Sequence, residues 1–151
     1  VADLHFPPDA LFRRLQPYAD PLAFIALDPT FGQLRDGFDQ DMARARSISA
    51  ALDRPGHRLH LLPAAPWARR AGGVLANELA RSAPAQAHAL RTRLPAGGFV
   101  VSVRAPLTRR QGADDLCRRF PGGGGRPAAA GINELPDSLY DDFVAAFLAA
   151  F

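Results

Sequence analysis

Lysine is absent from this sequence: all 18 basic residues are arginine. That excludes a Walker A phosphate loop, which needs a lysine for the phosphates. Every cationic contact is instead a planar fork that stays charged at any physiological pH. Cysteine is nearly absent too. Cys117 is alone, so an internal disulfide is impossible and a cytoplasmic setting is the expectation. Long apolar runs are missing. The longest, Phe143 to Phe151, falls far short of the ~20 residues needed to cross a bilayer, so no membrane partner is expected. No basic stretch followed by an apolar one opens the chain, which gives no sign of a signal peptide. The chain opens Val1-Ala2-Asp3 without a methionine, so a piece of a longer protein is expected. Also absent are Asp-His-His, His-x-Asp and His-Glu-x-x-His runs. His57 and His60 would share a strand but point to opposite faces, and Asp36, Asp39 and Asp41 fit the solvated side of a helix; neither set reads as a metal site.

What the sequence does have is 151 residues, 48% of them apolar, enough for one domain with its own core. The net charge of +3 is modest: it permits anionic ligands without arguing for duplex DNA. The most informative segment is Gly122-Gly123-Gly124-Gly125-Arg126-Pro127, preceded by Val100-Val101-Ser102-Val103-Arg104. Consecutive glycines let a backbone approach another molecule closely. Arginine binds phosphate through paired hydrogen bonds. The spacing of Gly123, Gly125 and Ala128 satisfies a bare dinucleotide fingerprint. However, that motif must follow a strand directly, and Leu116 to Phe120 reads as helix. The run lies inside the domain, close before Pro127-Ala128-Ala129-Ala130-Gly131. A structured loop is therefore expected rather than a flexible linker, with the amides of Gly123, Gly124 and Gly125 forming an anion nest between Arg104 and Arg126.

Residues 1–56 read as helices. Asp28 is placed to cap a helix that Pro29 opens, and Phe31, Leu34, Phe38, Met42, Ala45, Ile48 and Leu52 line one face up to Pro55-Gly56. From His57 the texture changes. Strands are expected at Arg58 to Leu62, Ala87 to Leu94 and Phe99 to Arg104, the last two as an antiparallel hairpin, with a further strand near Ile132. Helices are expected at Val74 to Arg81 and Gly112 to Phe120, and a final one capped by Asp137 that carries Leu139, Phe143, Phe147 and Phe151. Trp67 beside Arg69 and Arg70 could stack a base or close a loop over the core. The expected fold is α/β: a small mixed β-sheet flanked by helices over residues 57–151, preceded by a helical connector over 1–56.

Ser102-Val103-Arg104, Gly123-Gly124-Gly125-Arg126-Pro127 and Ala129-Ala130-Gly131 together resemble the C-terminal DHHA1 domain of the DHH phosphoesterase superfamily, which includes RecJ and NrnA-type enzymes. Gly72-Gly73-Val74-Leu75-Ala76-Asn77-Glu78-Leu79 is similar to a further block of some bacterial members. The resemblance covers about residues 57–151. It implies a substrate-binding domain in a protein that hydrolyses phosphodiester or phosphoanhydride bonds. Arg104, Gly123, Gly124, Gly125 and Arg126 would hold phosphate, with Ser102 and Asn77 as nearby hydrogen-bonding groups. Arg126 stands where most of the family has histidine; it keeps a phosphate contact but cannot donate a proton near neutral pH. Catalysis is implied to belong to a separate N-terminal DHH domain with two metal ions, usually manganese, and this chain to carry no catalytic or metal-binding residue. The implied partners are that domain and single-stranded nucleic acid, an oligonucleotide or another phosphorylated substrate. The alternative is a non-catalytic interaction or dimerisation module, using Phe31-Leu34-Phe38 and Phe143-Phe147-Phe151 as its surface.

Overall fold

The computed structural model describes residues 3–151; Val1 and Ala2, the start of the expected connector, lie outside them. Three helices come first: α1 (Pro8–Leu15), α2 (Pro21–Leu27) and α3 (Pro29–Arg46). Prolines open all of them, where a missing N–H costs nothing. Asp20 and Asp28 cap α2 and α3 by accepting from the Leu22 and Thr30 amides at 2.9 and 2.8 Å.

The remainder alternates: β1 (Ala50–Arg54), β2 (His57–Leu62), α4 (Pro66–Ser82), β3 (Ala87–Arg93), β4 (Phe99–Arg104), α5 (Ala113–Arg118), β5 (Gly123–Arg126), β6 (Ala129–Leu135), a 3-10 turn (Asp137–Leu139) and α6 (Tyr140–Ala150). The six strands form one sheet in the order β1-β2-β3-β4-β6-β5. Only β2 and β3 run parallel, joined by α4 as a crossover; the other neighbours are antiparallel. The expected α/β class with a mixed sheet holds, as does the β3–β4 hairpin.

The two faces of the sheet are covered differently. On one, Leu59, Ala89, Phe99, Val101, Val103 and Ile132 pack against Leu116 and Cys117 of α5 and Phe143 and Phe147 of α6, all of them buried. The Cys117 thiol is pushed up to about 12, chiefly by burial, and is a core group rather than a nucleophile. On the other, Leu62 and Leu90 pack under Ala68, Ala71, Leu75 and Ala76 of α4, and α4 in turn carries Met42 and Ala45 of α3. Helix α4 packs against β3 and β4, and α5 packs against β5 and β6 from the opposite side. Among the described residues no helix packs closely on the β6–β5 end of the α4 face.

Five expectations need correction. Helix α3 ends at Arg46, and residues 50–54 are strand β1, because Pro55-Gly56 turns the chain into a hairpin with β2. Helix α4 begins at Pro66, a full two turns before Val74, so Trp67 lies on a helix and packs on its core cluster. Asp137 does not cap α6; its carboxylate accepts from the Gly98 amide at 3.1 Å and pairs with Arg93. Phe143 and Phe147 are fully buried and form no external stripe. Asp41 is not solvated: it is 4% exposed and accepts from Arg70 through Nε at 2.6 Å and Nη2 at 2.9 Å, and from His5 at 3.2 Å. Arg69 likewise grips Asp3 at 2.7 and 2.5 Å. The two arginines tie the N-terminal segment to α4 and are not available to a stacked base.

His60 and His88 are buried on the α4 face at 5% and 0% exposure. Burial is the main cause that lowers the pKa of each below the ordinary 6.5; the His88 and Arg58 charges add to it for His60, while a bond to the Ala83 carbonyl opposes it for His88. The unfolded chain therefore takes up protons that the folded one resists, and stability rises with pH. Stability should be fully present above the unfolded value and be lost as pH falls below about 6.5. The urea midpoint should drop between about pH 7.5 and pH 5.5, and the drop should shrink in His60→Gln and His88→Gln. A midpoint flat across that range rules this out.

Candidate phosphate-binding groove

The glycine run is a strand, not a nest. Gly123 to Arg126 form β5, the edge of the sheet, paired antiparallel with β6. In an extended strand successive amides point to opposite sides, so they do not converge on one anion. The glycines nevertheless have separate jobs. A Cβ on Gly123 would lie 1.9 Å from the Cys117 carbonyl oxygen, so α5 sits on this strand only because it is bare. Gly125 has a φ of 146°, and its Cβ would meet Ala130 Cα at 2.5 Å. A Cβ on Gly124 would meet nothing within 4 Å. Gly124 and Arg126 share the face turned away from α5.

The register then aligns the candidate residues. Arg104 on β4 pairs with Ala129 on β6, which pairs with Arg126 on β5. Directly paired residues project to one face, so the two guanidiniums flank an alanine in a single row, two strand spacings or about 10 Å apart at Cα. The next row is Ser102, Gly131 and Gly124, two of which have no side chain. The Pro127-Ala128 turn between β5 and β6 is pinned from outside: Ala105 N–H donates to Ala128 O at 3.1 Å and Ala113 N–H to Pro127 O at 3.0 Å.

Helix α4 supplies the opposite wall. Asn77 Oδ1 accepts from Arg104 Nε at 2.9 Å, and Arg104 Nη1 donates to its neighbour's Val103 carbonyl at 3.1 Å. These bonds fix the guanidinium without neutralising it. Arg104, half-buried, holds its proton less tightly than an ordinary arginine, first because of burial and then because of the Arg126 charge. It stays charged all the same. Among the described residues neither Arg104 nor Arg126 pairs with a carboxylate. Between Arg104 and α4 runs an open groove of about 470 Å³ lined by Asn77, Ala80, Arg81, Arg104, Leu107, Arg110, Ala128 and Ala129, with no acidic residue; Arg126 lies beyond Ala129 in the same sheet row. Ser102 faces an adjoining hollow of about 250 Å³, where Gly72 and Gly73 keep α4 free of side chains above it.

The structure thus joins Asn77 to Arg104, sets Arg126 and Gly124 on the same face of the sheet, places Ser102 next door, points Gly123 at α5 and leaves Gly125 exposed against β6. Arg81 and Arg110 were missed. Arg81 follows Asn77 by four residues on α4, a spacing that puts both on one helix face and was legible. Arg110 arrives from a loop with no local signal.

No protein-family model matches the sequence, and no curated protein sequence does. Solved structures do match. RecJ from Thermus thermophilus in complex with Mn2+ aligns over 90% of this chain and 20% of RecJ, with a TM-score of 0.58 at 21% identity. The DHH domain of a member of a ribosomal-protein family aligns over 83% of this chain and 33% of that one, with a TM-score of 0.55 at 13% identity. An exopolyphosphatase-related protein from Bacteroides fragilis aligns over 96% and 38%, with a TM-score of 0.51 at 14% identity. The chain has the fold of a part of these DHH-family proteins. It spans between 20% and 38% of their lengths. Among the described residues no three His, Cys, Asp or Glu side chains gather to hold a metal ion, and no helix is long and apolar enough to cross a membrane.

Proposed function

We propose that this chain is the substrate-binding part of a DHH-family phosphoesterase and that its groove holds a phosphate of a single-stranded nucleic acid, an oligonucleotide or another phosphorylated substrate. One observation carries this: Arg104 and Arg126 stand in one row of the sheet, across an alanine, with no carboxylate partner among the described residues. Two like charges, one of them half-buried, repel each other, and an anion between them removes that cost. Asn77 orients Arg104 for it, and the bare backbone at Gly124 lets the ligand lie close. Hydrolysis of a phosphodiester or phosphoanhydride belongs, on this proposal, to a metal-bearing domain of the same protein outside this chain, with manganese or another divalent ion. The chain by itself binds and does not catalyse.

Titration with a short 5′-phosphorylated single strand tests the site. Arg104→Ala and Arg126→Ala should each weaken binding by about tenfold or more, and each should lower the slope of log affinity against log salt by about one unit. Unchanged affinity in both variants would sink the clamp.

An interaction surface is the second reading, and the N-terminal helices favour it. Helix α1 buries no residue, and Phe12, Leu22 and Leu27 are 63%, 68% and 74% exposed. Such a face suits a neighbouring domain or a second copy of this chain. Sedimentation across a concentration series separates these occupants, since only self-association depends on concentration.

A further inference from the structure

Arg81 and Arg110 line the groove, yet the binding of one phosphate by Arg104 and Arg126 leaves them unused. Both are exposed, and neither pairs with a carboxylate among the described residues. Arg110 has a φ of 55°, the only positive value at a described non-glycine residue. An arginine resists that conformation, and such strain persists where the surroundings impose it. Here they do: Arg110 N–H donates to Pro106 O at 2.7 Å and Arg110 Nε to Leu107 O at 3.2 Å. The second bond occupies Nε, and Arg110 lines the same groove as Arg81.

Two arginines are enough to chelate one phosphate. Here Arg81, Arg104 and Arg110 line one groove of about 470 Å³, and Arg126 shares a sheet row with Arg104. No acidic residue lines the groove, and a single phosphate would fill only a fraction of that space.

We propose that Arg81 and Arg110 form a second phosphate subsite, so that the ligand of this groove carries at least two phosphate groups. The inference rests on the phosphate-binding role of Arg104 and Arg126. The shared chemistry is a chain of linked phosphates, and its source is either an oligonucleotide or an inorganic polyphosphate.

The test compares three probes at fixed ionic strength: adenosine monophosphate, a 5′-phosphorylated adenine dinucleotide and tripolyphosphate. At least one of the two longer probes should bind the native protein about tenfold tighter than the monophosphate. The double variant Arg81→Gln/Arg110→Gly should erase that advantage and leave monophosphate binding within about twofold. Glycine at 110 suits the positive φ, so the fold is retained, and a thermal melt verifies it. Arg109→Gln, a neighbouring exposed charge outside the groove, should change none of the three. Preference for the dinucleotide assigns the ligand to nucleic acid; preference for tripolyphosphate assigns it to polyphosphate. If the double variant weakens all probes equally, or none, the second subsite is wrong. If Arg104→Ala still abolishes monophosphate binding in that case, the first site stands alone. If the native protein binds no probe at all, the phosphate-binding role itself fails.

Discussion

Gly123→Ala should lose about 3 kcal/mol of stability or more, at the upper end of what overpacking costs. The added methyl would sit 1.9 Å from the Cys117 carbonyl oxygen, and that atom is backbone in α5 rather than a side chain that could swing away. Relief requires α5 to lift from β5 or β5 to leave the sheet edge. Gly125→Ala should come second, since it meets Ala130 and holds a φ of 146°. Gly124→Ala should stay within about 0.5 kcal/mol, because its methyl meets open space, while weakening ligand binding. Urea denaturation of the three variants gives the ranking. Equal losses at 123 and 124 would contradict the packing of α5 on this strand.

Asp41→Ala should cost about 3–5 kcal/mol, the range for breaking a buried ion pair by removing one partner. The Asp41 and Arg70 side chains are 6% and 20% exposed, and the bidentate pair joins α3 to α4. Alanine would leave the Arg70 guanidinium desolvated and the His5 ring without its acceptor. Replacing both partners, as Asp41→Leu/Arg70→Met, should recover much of the loss, since the unpaired buried charge disappears with its partner. A loss below about 1 kcal/mol for Asp41→Ala would mean that the pair behaves as a solvated surface contact.

Local periodicity made part of this molecule legible in advance. In Phe99 to Arg104 every second residue is buried, which is why the alternation set Ser102 and Arg104 apart from the core side correctly. The Asp28-Pro29 start of α3 was equally plain, because a cap is a local bond. What escaped depends on distant partners. Leu52 fits the end of the helical stripe of α3, yet pairing with β2 overrides that preference. Asp41 looked like one more solvated charge, since its partner lies on another helix. Four glycines read as a loop because glycine is a poor strand former. Only the carbonyl of Cys117 explains why a strand here must do without a side chain. In the groove, Arg104 and its glycines were visible as a pattern, whereas Arg110 joins them through a turn that no short-range spacing announces.

Strand β5 divides its residues by what they are free to become. Gly123 and Gly125 are held by backbone contacts, so no other side chain fits there at low cost. Gly124 and Arg126 face open ground, and Arg126 is exposed. A single codon at 126 therefore resets the recognition chemistry of this edge without disturbing the scaffold beneath it. Arginine gives a permanent fork for an anion, histidine a titratable donor, and glutamine a neutral one. The fold keeps its most adjustable position directly beside one that it cannot vary.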